Sequence, residues 1–558
     1  YITVIRKFSG MDAPAPSAKP LPIVIPANKK VVILLDQLFE TNAFPTIKFS
    51  GGSGAGISLG YAESLFEPGT NFVKKPNRNT VTGKIFRGLT DTITSNGAGG
   101  QSFTPFNFRT YRYMQLIVQT RNTPLTIDSL YGTYTAYPFK QNAVLNTDNT
   151  DIKKIREIGW RTAKLNAYET YTDCPYYEQT QYLGDTHLQA MVSYYESGDD
   201  RLARNAIELF DQSRQYDGLT LSSYPNRGFQ MIPPFALLYI GMLHDYYMYR
   251  NDANFLKDKL QGARGILEYF TKYQGTDGSL VRPPYWEYVD GPMGGPGSEA
   301  WFIGIPPFGS DGSSAVIDMH LLWAYQWAAE MEAKIGLPQL VPLYKTKAAQ
   351  LKQTIQSKYY DSGRKLYADT KEKTLFSQQT NSMAILTGVV SDTDMPAFAQ
   401  RIVADSNRLI QCNIWFKYYL HRALVKGGLG DNYLNWLGVW HNNINMGLTT
   451  WAEVADLVVT RSDCHGWGAH PNIEFFRTVL GIDSDAPGFK KIKIEPHLGT
   501  LTNISGEIPH PNGKVKVSYV SKDSKWKIGI SLPENTVGTF LWKGKTYQLA
   551  SGESVLVI

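Results

Sequence analysis

The sequence is poor in cysteine and in long apolar runs. Only three cysteines occur among 558 residues, Cys174, Cys412 and Cys464. Their odd number and wide spacing fit neither a disulfide framework nor a CxxC zinc site, although a pairing of Cys174 with Cys464 stays open. The longest apolar runs, such as 234–243, stop well short of the about 20 residues that cross a bilayer. We therefore expect a globular, soluble chain with no membrane span.

The sequence also has no long run of residues with the same charge. The 56 basic and 50 acidic residues are interspersed, and the densest basic patch is only 490–493. Nucleic-acid binding is therefore not expected. The sequence has no GxSxG, HExxH or Walker-type motif, so a serine hydrolase, a zincin or a nucleotide-binding protein has no support.

The first residue is Tyr1 rather than Met, so any signal peptide would lie outside this sequence. The location of the protein is therefore unknown from the sequence, with a secreted or periplasmic location favoured. The oligomeric state is likewise open.

Aromatic residues are plentiful, with 12 Trp, 34 Tyr and 25 Phe. Many lie among polar residues and prolines rather than in periodic apolar stripes. Aromatic rings stack on the C–H faces of sugars, so the excess is a mild indication of carbohydrate binding. A large, well-filled core explains the composition equally simply, and composition alone favours that explanation.

The patterning along the chain predicts five segments. Residues 1–30 read as an extended, Pro-rich lead-in, 31–139 as an N-terminal β-sandwich, 140–150 as a linker, and 481–558 as a C-terminal β-sandwich. Between 151 and 480 about a dozen helices are predicted, with helical periodicity and few strand signals. Six helical hairpins closed into an (α/α)6 barrel fit this count, and an open solenoid is the alternative, although no fixed repeat length is found.

Three carboxylates, Asp173, Glu178 and Asp185, fall within the stretch 172–185. If they converge in a hollow lined by tyrosines, repulsion and desolvation would keep one of them protonated and able to act as a general acid. Glu178 is the natural candidate. In the alternative interpretation Asp173 forms a turn before Pro175, and Asp185 is the N-cap of the following helix.

A second polar cluster lies in the stretch 445–471. Glu453 ends a possible capping box that begins at Thr450, so local sequence favours a role in capping its own helix, predicted over 451–458. His465 together with Trp467 could bind a polar ligand, but a core histidine is the commoner case. Neither Cys464 nor His465 has partners at metal-ligand spacing, so zinc is not expected.

Two further stretches, 282–291 and 304–314, read as long aromatic loops. Trp286 and Trp301 could stack on sugars, and carboxylates nearby could bind hydroxyl groups; ordinary loop packing is equally plausible. These carboxylates are Glu287, Asp290 and Asp311.

Taken together, these stretches resemble the α-L-rhamnosidases of glycoside hydrolase family 78. The resemblance extends from about residue 31 to the end of the chain. It depends most on D-C-P-Y-Y-E-Q at 173–179, G-D at 184–185, T-T-W-A-E at 449–453 and S-D-C-H at 462–465. It implies an (α/α)6 catalytic barrel flanked by β-sandwiches, cleavage with inversion at the anomeric carbon, and no cofactor or metal.

Carried over by position, the resemblance makes Glu178 the general acid and Glu453 the general base. It implies that the substrate is a glycoside, oligosaccharide or polysaccharide of plant type that carries terminal α-L-rhamnose. The implied sugar contacts are Asp173, Tyr177, Asp185, Trp286, Asp290, His465 and Trp467.

The chain departs from the family pattern at three places. A second branch of the family has a glutamate where this chain has Gln179, so the assignment of the acid depends on the branch. The tryptophan of the usual T-T-x-W-E order has moved to Trp451, and Gly291 replaces a tryptophan after Asp290. Two alternatives to a rhamnosidase stay open: a barrel glycosidase that acts on another terminal sugar, and a carbohydrate-binding relative without activity.

Overall fold

The structure is a computed structural model that describes residues 4–13, 21–71, 73–523 and 525–558. Its contacts divide the chain into two compact units. The first unit comprises residues 1–138, 161–179 and 440–466, and the second comprises residues 139–160, 180–439 and 467–558. Each unit is therefore assembled from segments that are far apart in sequence.

The first unit is built on one eight-stranded sheet. Its neighbouring strands run in the order β2-β8-β3-β7-β4-β5, with β1 and β6 paired to β3, and all pairings are antiparallel. Alternating apolar residues such as Ile33, Ile57 and Leu116 form its core. The strands are β1 Val4–Ser9, β2 Ile23–Ile25, β3 Lys30–Gly51, β4 Gly56–Ala62, β5 Leu89–Thr94, β6 Gln101–Phe103, β7 Arg109–Gln119 and β8 Leu125–Tyr134.

The predicted lead-in 1–30 and the predicted linker 140–150 both contain paired β-strands, so both predictions need correction. Within 1–30, strands β1 and β2 pair with β3 and β8, while 14–20 lie outside the described residues. The predicted linker 140–150 contains strand β9, Val144–Thr147, which pairs with a C-terminal strand of the second unit. Short strands of this kind depend on a partner that is remote in sequence, so local patterning does not reveal them.

The central part of the chain is helical. Helices α2, α4, α6 and α8 are buried along most of their length, whereas α3, α5, α7 and α9 bury only one face. The helices are α1 Thr150–Leu165, α2 Leu183–Glu196, α3 Arg201–Gln212, α4 Pro233–Tyr249, α5 Ala253–Thr271, α6 Ala315–Ile335, α7 Val341–Lys358, α8 Gln378–Leu386, α9 Met395–Ala404, α10 Lys417–Leu424, α11 Gly438–Asn445 and α12 Pro471–Glu474. A two-strand ribbon, β10 Tyr360–Asp361 with β11 Leu366–Tyr367, follows α7. No helix in the described part of the chain is long and apolar enough to span a membrane.

The C-terminal strands of the second unit form two sheets, ordered β12-β13-β17-β18 and β19-β16-β15-β14-β9. Trp542 of one sheet packs on Tyr519 and Trp526 of the other, with ring centroids 6.3 and 5.3 Å apart, which joins the two sheets. The strands are β12 Ile482–Ser484, β13 Lys491–Ile494, β14 Asn503–His510, β15 Gly513–Lys522, β16 Lys525–Leu532, β17 Val537–Trp542, β18 Lys545–Leu549 and β19 Gly552–Val557.

Candidate active site

The first carboxylate cluster begins in the loop between α1 and α2. The backbone N–H of Gln179 donates to the carbonyl of Cys174 at 3.1 Å, and Gln179 itself has a positive φ of 54°. This tight turn presents Tyr177 and Glu178. It is fixed to the sheet of the first unit because the hydroxyl of Thr110 donates to the carbonyl of Pro175 at 2.8 Å.

Glu453 lies in a non-helical segment, so the prediction of a helix over 451–458 with a capping box is wrong. The N–H of Glu453 donates to the carbonyl of Ser462 at 3.1 Å, and the N–H of His465 donates to the carbonyl of Trp451 at 2.7 Å. The hydroxyl of Thr450 contacts Glu40 and the carbonyl of Asp463 instead of capping a helix. Tertiary partners outweigh the local capping signal here.

Glu178 and Glu453 meet at Arg461. One guanidinium nitrogen of Arg461 forms an ion pair with Glu178 and lies 3.3 Å from an oxygen of Glu453. Burial acts to raise the pKa of the Glu453 carboxyl, but the charges of His465 and Arg461 outweigh burial and hold this pKa below its ordinary value. Glu453 is therefore a carboxylate near neutral pH. No local sequence motif indicates that Arg461 bridges two acids, so its role is not predictable from sequence.

Asp173, Cys174 and His465 also converge in the first unit. Their potential ligand atoms lie within 4.8 Å of one another, and all three residues are buried. The thiol of Cys174 donates to an oxygen of Asp173 at 3.0 Å, and burial with the charge of Asp173 raises the pKa of this thiol. Cys174 and Asp173 are thus hydrogen-bonded to each other, and the three side chains bring potential metal-ligand atoms close together. The three cysteines are free, which answers the open question of a Cys174–Cys464 pair.

A buried ionic cluster holds the Glu453-bearing segment against the sheet. Arg78 donates to both oxygens of Asp463 at 2.8 Å, and Lys75 lies 3.0 Å from Asp463 and 3.6 Å from Glu63. Although burial opposes them, the two cations hold the pKa of Asp463 below its ordinary value. Burial raises the pKa of Glu63 to about 7, and that of Glu40 also lies well above its usual range. Residues remote in sequence form this cluster, so the spacing of residues along the chain does not reveal it.

Four predicted sugar contacts belong to the second unit. Asp185 is buried in the first turn of α2, whose N-cap is Tyr182, so the alternative prediction of Asp185 as N-cap is wrong. Trp286 and Trp467 are linked by a chain of rings through Tyr288 and Trp415, with successive centroids 5.2, 6.3 and 5.8 Å apart. Trp301 is buried, as expected of ordinary loop packing.

Asp290, two residues after Tyr288 in the sequence, is buried. One of its oxygens accepts from the side chain of Gln379 at 2.8 Å and from the N–H of Asn413 at 3.0 Å. Burial outweighs these hydrogen bonds and raises the pKa of Asp290 to about 7. Its other oxygen has no hydrogen-bond partner among the described residues. That oxygen can accept from a ligand hydroxyl.

Comparisons with known families give two matches along the chain. Residues 140–479 match the model of the bacterial α-L-rhamnosidase six-hairpin glycosidase domain, and residues 481–555 match the model of the bacterial α-L-rhamnosidase C-terminal domain. A search of curated proteins finds no match.

Several solved structures share the fold. The family 78 rhamnosidase of Bacillus sp. GL1 is 21% identical with a TM-score of 0.82, covering 93% of this chain and 54% of that one. The α-L-rhamnosidase of Aspergillus terreus is 17% identical with a TM-score of 0.76, covering 100% and 63%. That of Streptomyces avermitilis, complexed with L-rhamnose, is 18% identical with a TM-score of 0.73, covering 96% and 53%. The present chain thus spans between about half and two-thirds of the length of these proteins.

Proposed function

Because this chain belongs to the bacterial α-L-rhamnosidase family, we propose that it hydrolyses glycosides or oligosaccharides at terminal α-L-rhamnose, with inversion at the anomeric carbon. The observation that carries the proposal is the meeting of Glu178 and Glu453 at a single guanidinium group. An inverting glycosidase needs two carboxyl groups on opposite sides of the glycosidic bond, one as general acid and one as general base.

In the proposed reaction Glu178 gives its proton to the glycosidic oxygen as the bond to the anomeric carbon breaks. Glu453 takes a proton from a water molecule whose oxygen forms the new bond on the opposite face. The lowered pKa of Glu453 supports the role of base, since a base must start as the carboxylate. Asp173 and His465, which lie close to one another, are assigned to the hydroxyl groups of the sugar.

The ion pair of Arg461 with Glu178 requires the carboxylate form of Glu178, whereas a general acid must carry a proton. Inverting enzymes leave about 6.5–9.5 Å between the two carboxyl groups, enough for a water molecule. Arg461 lies between them here, and its side chain is 47% exposed. We therefore propose that Arg461 turns away when the sugar enters, which releases Glu178 to hold a proton.

The alternation of wholly and partly buried helices supports an (α/α)6 barrel, because inner helices are covered on all sides and outer ones on one side. The sugar-contact roles predicted for Asp185, Trp286, Asp290 and Trp467 are tested by substituting each residue in turn, since loss of a sugar contact should raise KM for nitrophenyl α-L-rhamnoside.

The test is a panel of nitrophenyl glycosides, with the anomer of the released sugar followed by NMR. The proposal predicts hydrolysis of the α-L-rhamnoside alone, with the β-anomer of rhamnose formed first. Hydrolysis of another glycoside in preference would favour a barrel glycosidase of different specificity. Binding of rhamnosides without release of sugar would favour a carbohydrate-binding relative.

A further inference from the structure

The first unit contains a cavity of about 690 Å³ that adjoins the proposed acid. Its wall is formed by the loop after β4, the turn before β5, the start of β7, the loop 175–179 and the residues 459–461. Tyr177 and Gln179, the neighbours of Glu178 in sequence, line it, and so does Arg461, the partner of Glu178. A group bound in this cavity would lie next to the carboxyl that protonates the leaving group.

The described lining of the cavity carries four cations and no aspartate or glutamate: Lys75, Arg87, Arg109 and Arg461. Three of them are held by carboxylates outside the lining. Lys75 pairs with Asp463, Arg109 with Asp91, and Arg461 with the two glutamates. Four cationic side chains and no acidic side chain among the described lining residues make this a surface that attracts an anion.

Arg87, like Arg461, is an exposed cation of this set. Its charge acts on the hydroxyl of Tyr176, where it opposes the burial that raises the pKa of that hydroxyl to about 12. Tyr176 is fixed in place, because its hydroxyl donates to the carbonyl of Tyr61 at 2.9 Å and accepts from the N–H of Leu89 at 3.0 Å. Arg87 therefore borders a rigid wall of the cavity.

Tyr177 gives the cavity a stacking surface. Its ring is 40% exposed and meets Tyr176 edge-on, with centroids 4.6 Å apart. The guanidinium of Arg461 lies 5.9 Å from the ring centroid. An exposed aromatic ring with an arginine beside it, in a cavity that a second arginine also lines, is suited to a sugar ring that carries an acidic group.

We propose that this cavity binds the leaving-group sugar and that this sugar is a uronic acid, whose carboxylate pairs with Arg87 and Arg461. The inference rests on the proposed function, because it concerns the group that leaves when rhamnose is released. A substrate carboxylate that pairs with Arg461 replaces Glu178 as its partner. The correct substrate thereby frees Glu178 to carry the proton that the reaction needs.

The experiment compares two disaccharides, an α-L-rhamnosyl uronic acid and the same compound with its carboxyl group reduced to the neutral sugar. Nitrophenyl α-L-rhamnoside is the third substrate. For the wild type we expect kcat/KM to be about tenfold higher or more for the acidic disaccharide, consistent with a hydrogen-bonded charge pair. This preference should narrow as salt is raised, because salt screens exposed charges.

The key variant is Arg87→Gln. It should raise KM about tenfold for the acidic disaccharide and shift KM for the neutral one by less than about twofold, which abolishes the preference. Arg121→Gln, at an exposed arginine of the same unit that does not line the cavity, is the matched control and should keep the wild-type preference. A thermal melt of each variant confirms that it is folded.

The outcomes distinguish a failure of the inference about the cavity from a failure of the proposed function. If the wild type cleaves nitrophenyl α-L-rhamnoside but shows no preference for the acidic disaccharide, the inference about the cavity is overturned and the proposed function stands. The same holds if Arg87→Gln affects both disaccharides equally. If the wild type cleaves no rhamnoside, the proposed function fails, and the inference fails with it.

Discussion

Glu178 and Glu453 contact the same guanidinium nitrogen, that of Arg461. The two carboxylates come from loops that are remote in sequence, and both lie in the first unit. One carboxylate oxygen of each glutamate therefore contacts the same nitrogen atom of Arg461. Substituting Glu178, Glu453 or Arg461 therefore tests a different part of the proposed reaction.

Replacing Glu453 with Gln removes the proposed base while keeping the size of the side chain. We expect kcat on every rhamnoside to fall by about 10²–10⁴-fold, the range for loss of a positioned general base. Thermal stability should change little, because Glu453 caps no helix. The matched control is Glu169→Gln, an exposed glutamate of the same unit. Activity that survives in Glu453→Gln would remove this residue from the role of base.

Replacing Glu178 with Gln should affect substrates according to their leaving groups. A nitrophenyl group leaves with little protonation, so activity on the aryl rhamnoside should be largely retained. On a sugar or alkyl rhamnoside the loss should be about 10²–10⁴-fold. Equal losses of kcat on both substrates would contradict the assignment of the acid.

Gln179 occupies the position at which the second branch of the family has a glutamate. Substitutions here therefore test whether the acid could lie at position 179. Its side-chain amide donates to the carbonyl of Pro175 at 2.8 Å, so it points back into its own loop. We expect Gln179→Ala to keep activity, and the double variant Glu178→Gln/Gln179→Glu to be no better than Glu178→Gln. Rescue of activity by the second substitution would show that a glutamate at 179 can serve as the acid.

We expect Arg461 to determine the pH at which kcat/KM falls on the acidic side of its pH profile, the acidic limb. Its charge lowers the pKa of Glu453, and the base is active only when it is ionised. Removing the charge in Arg461→Ala raises this pKa, so the acidic limb of kcat/KM should move to higher pH. Arg461→Lys retains the charge and should leave the limb closer to its wild-type position. A limb that stays in place in both variants would show that another group titrates there.

Arg78 should be important for stability rather than chemistry. It is 2% exposed and donates to both oxygens of buried Asp463. Arg78→Met leaves that carboxylate with Lys75 as its remaining cation, and breaking a buried pair costs about 3–5 kcal/mol. We expect a clear drop in the melting temperature, partly reversed in the double variant Arg78→Met/Asp463→Asn. An unchanged melting temperature would show that the pair contributes nothing.

Glu287 should make stability depend on pH. It is fully buried, neither of its oxygens has a hydrogen-bond partner among the described residues, and burial raises its pKa well above the usual range. An unfolded Glu ionises near pH 4.3, so the stability that protonated Glu287 confers is present below that pH and is lost as the pH rises toward its folded pKa.

Gln at this position cannot ionise. The melting temperature of Glu287→Gln relative to wild type should therefore rise between pH 4 and pH 8. Glu299→Gln, at an exposed glutamate of the same unit, should show no such trend. A difference for Glu287→Gln that is constant with pH would contradict the raised pKa.

Part of the candidate site could be predicted from sequence, but the charged partners of Glu178 and Glu453 could not. The stretches around Glu178 and Glu453 stand out because several carboxylates and aromatic residues occur close together within each. Arg461 lies inside the second stretch and carries no local signature of its role. Arg78 and Lys75 belong to a different part of the chain, in the loop after β4.

The case of Glu453 shows how local patterning fails. Thr450 and Glu453 have the spacing of a capping box, which predicts a helix from 451. In the structure Thr450 bonds to Glu40 and to the carbonyl of Asp463, and the segment is not helical. Glu40 reaches this place because β3 is irregular between Asp36 and Thr41, where Leu38 has a positive φ.

By itself, then, the sequence determined the order of sheet, helices and sheet, since periodicities of two and 3.6 residues reflect which faces are buried. It also determined the residue types available for chemistry at Glu178 and Glu453. Which charges surround them depends on the folded chain, because ion pairs such as those of Arg461 and the Arg78–Asp463 pair form between side chains that folding brings together. The protonation state of Glu453 depends on those neighbours and on burial, and neither is a property of any local stretch of sequence.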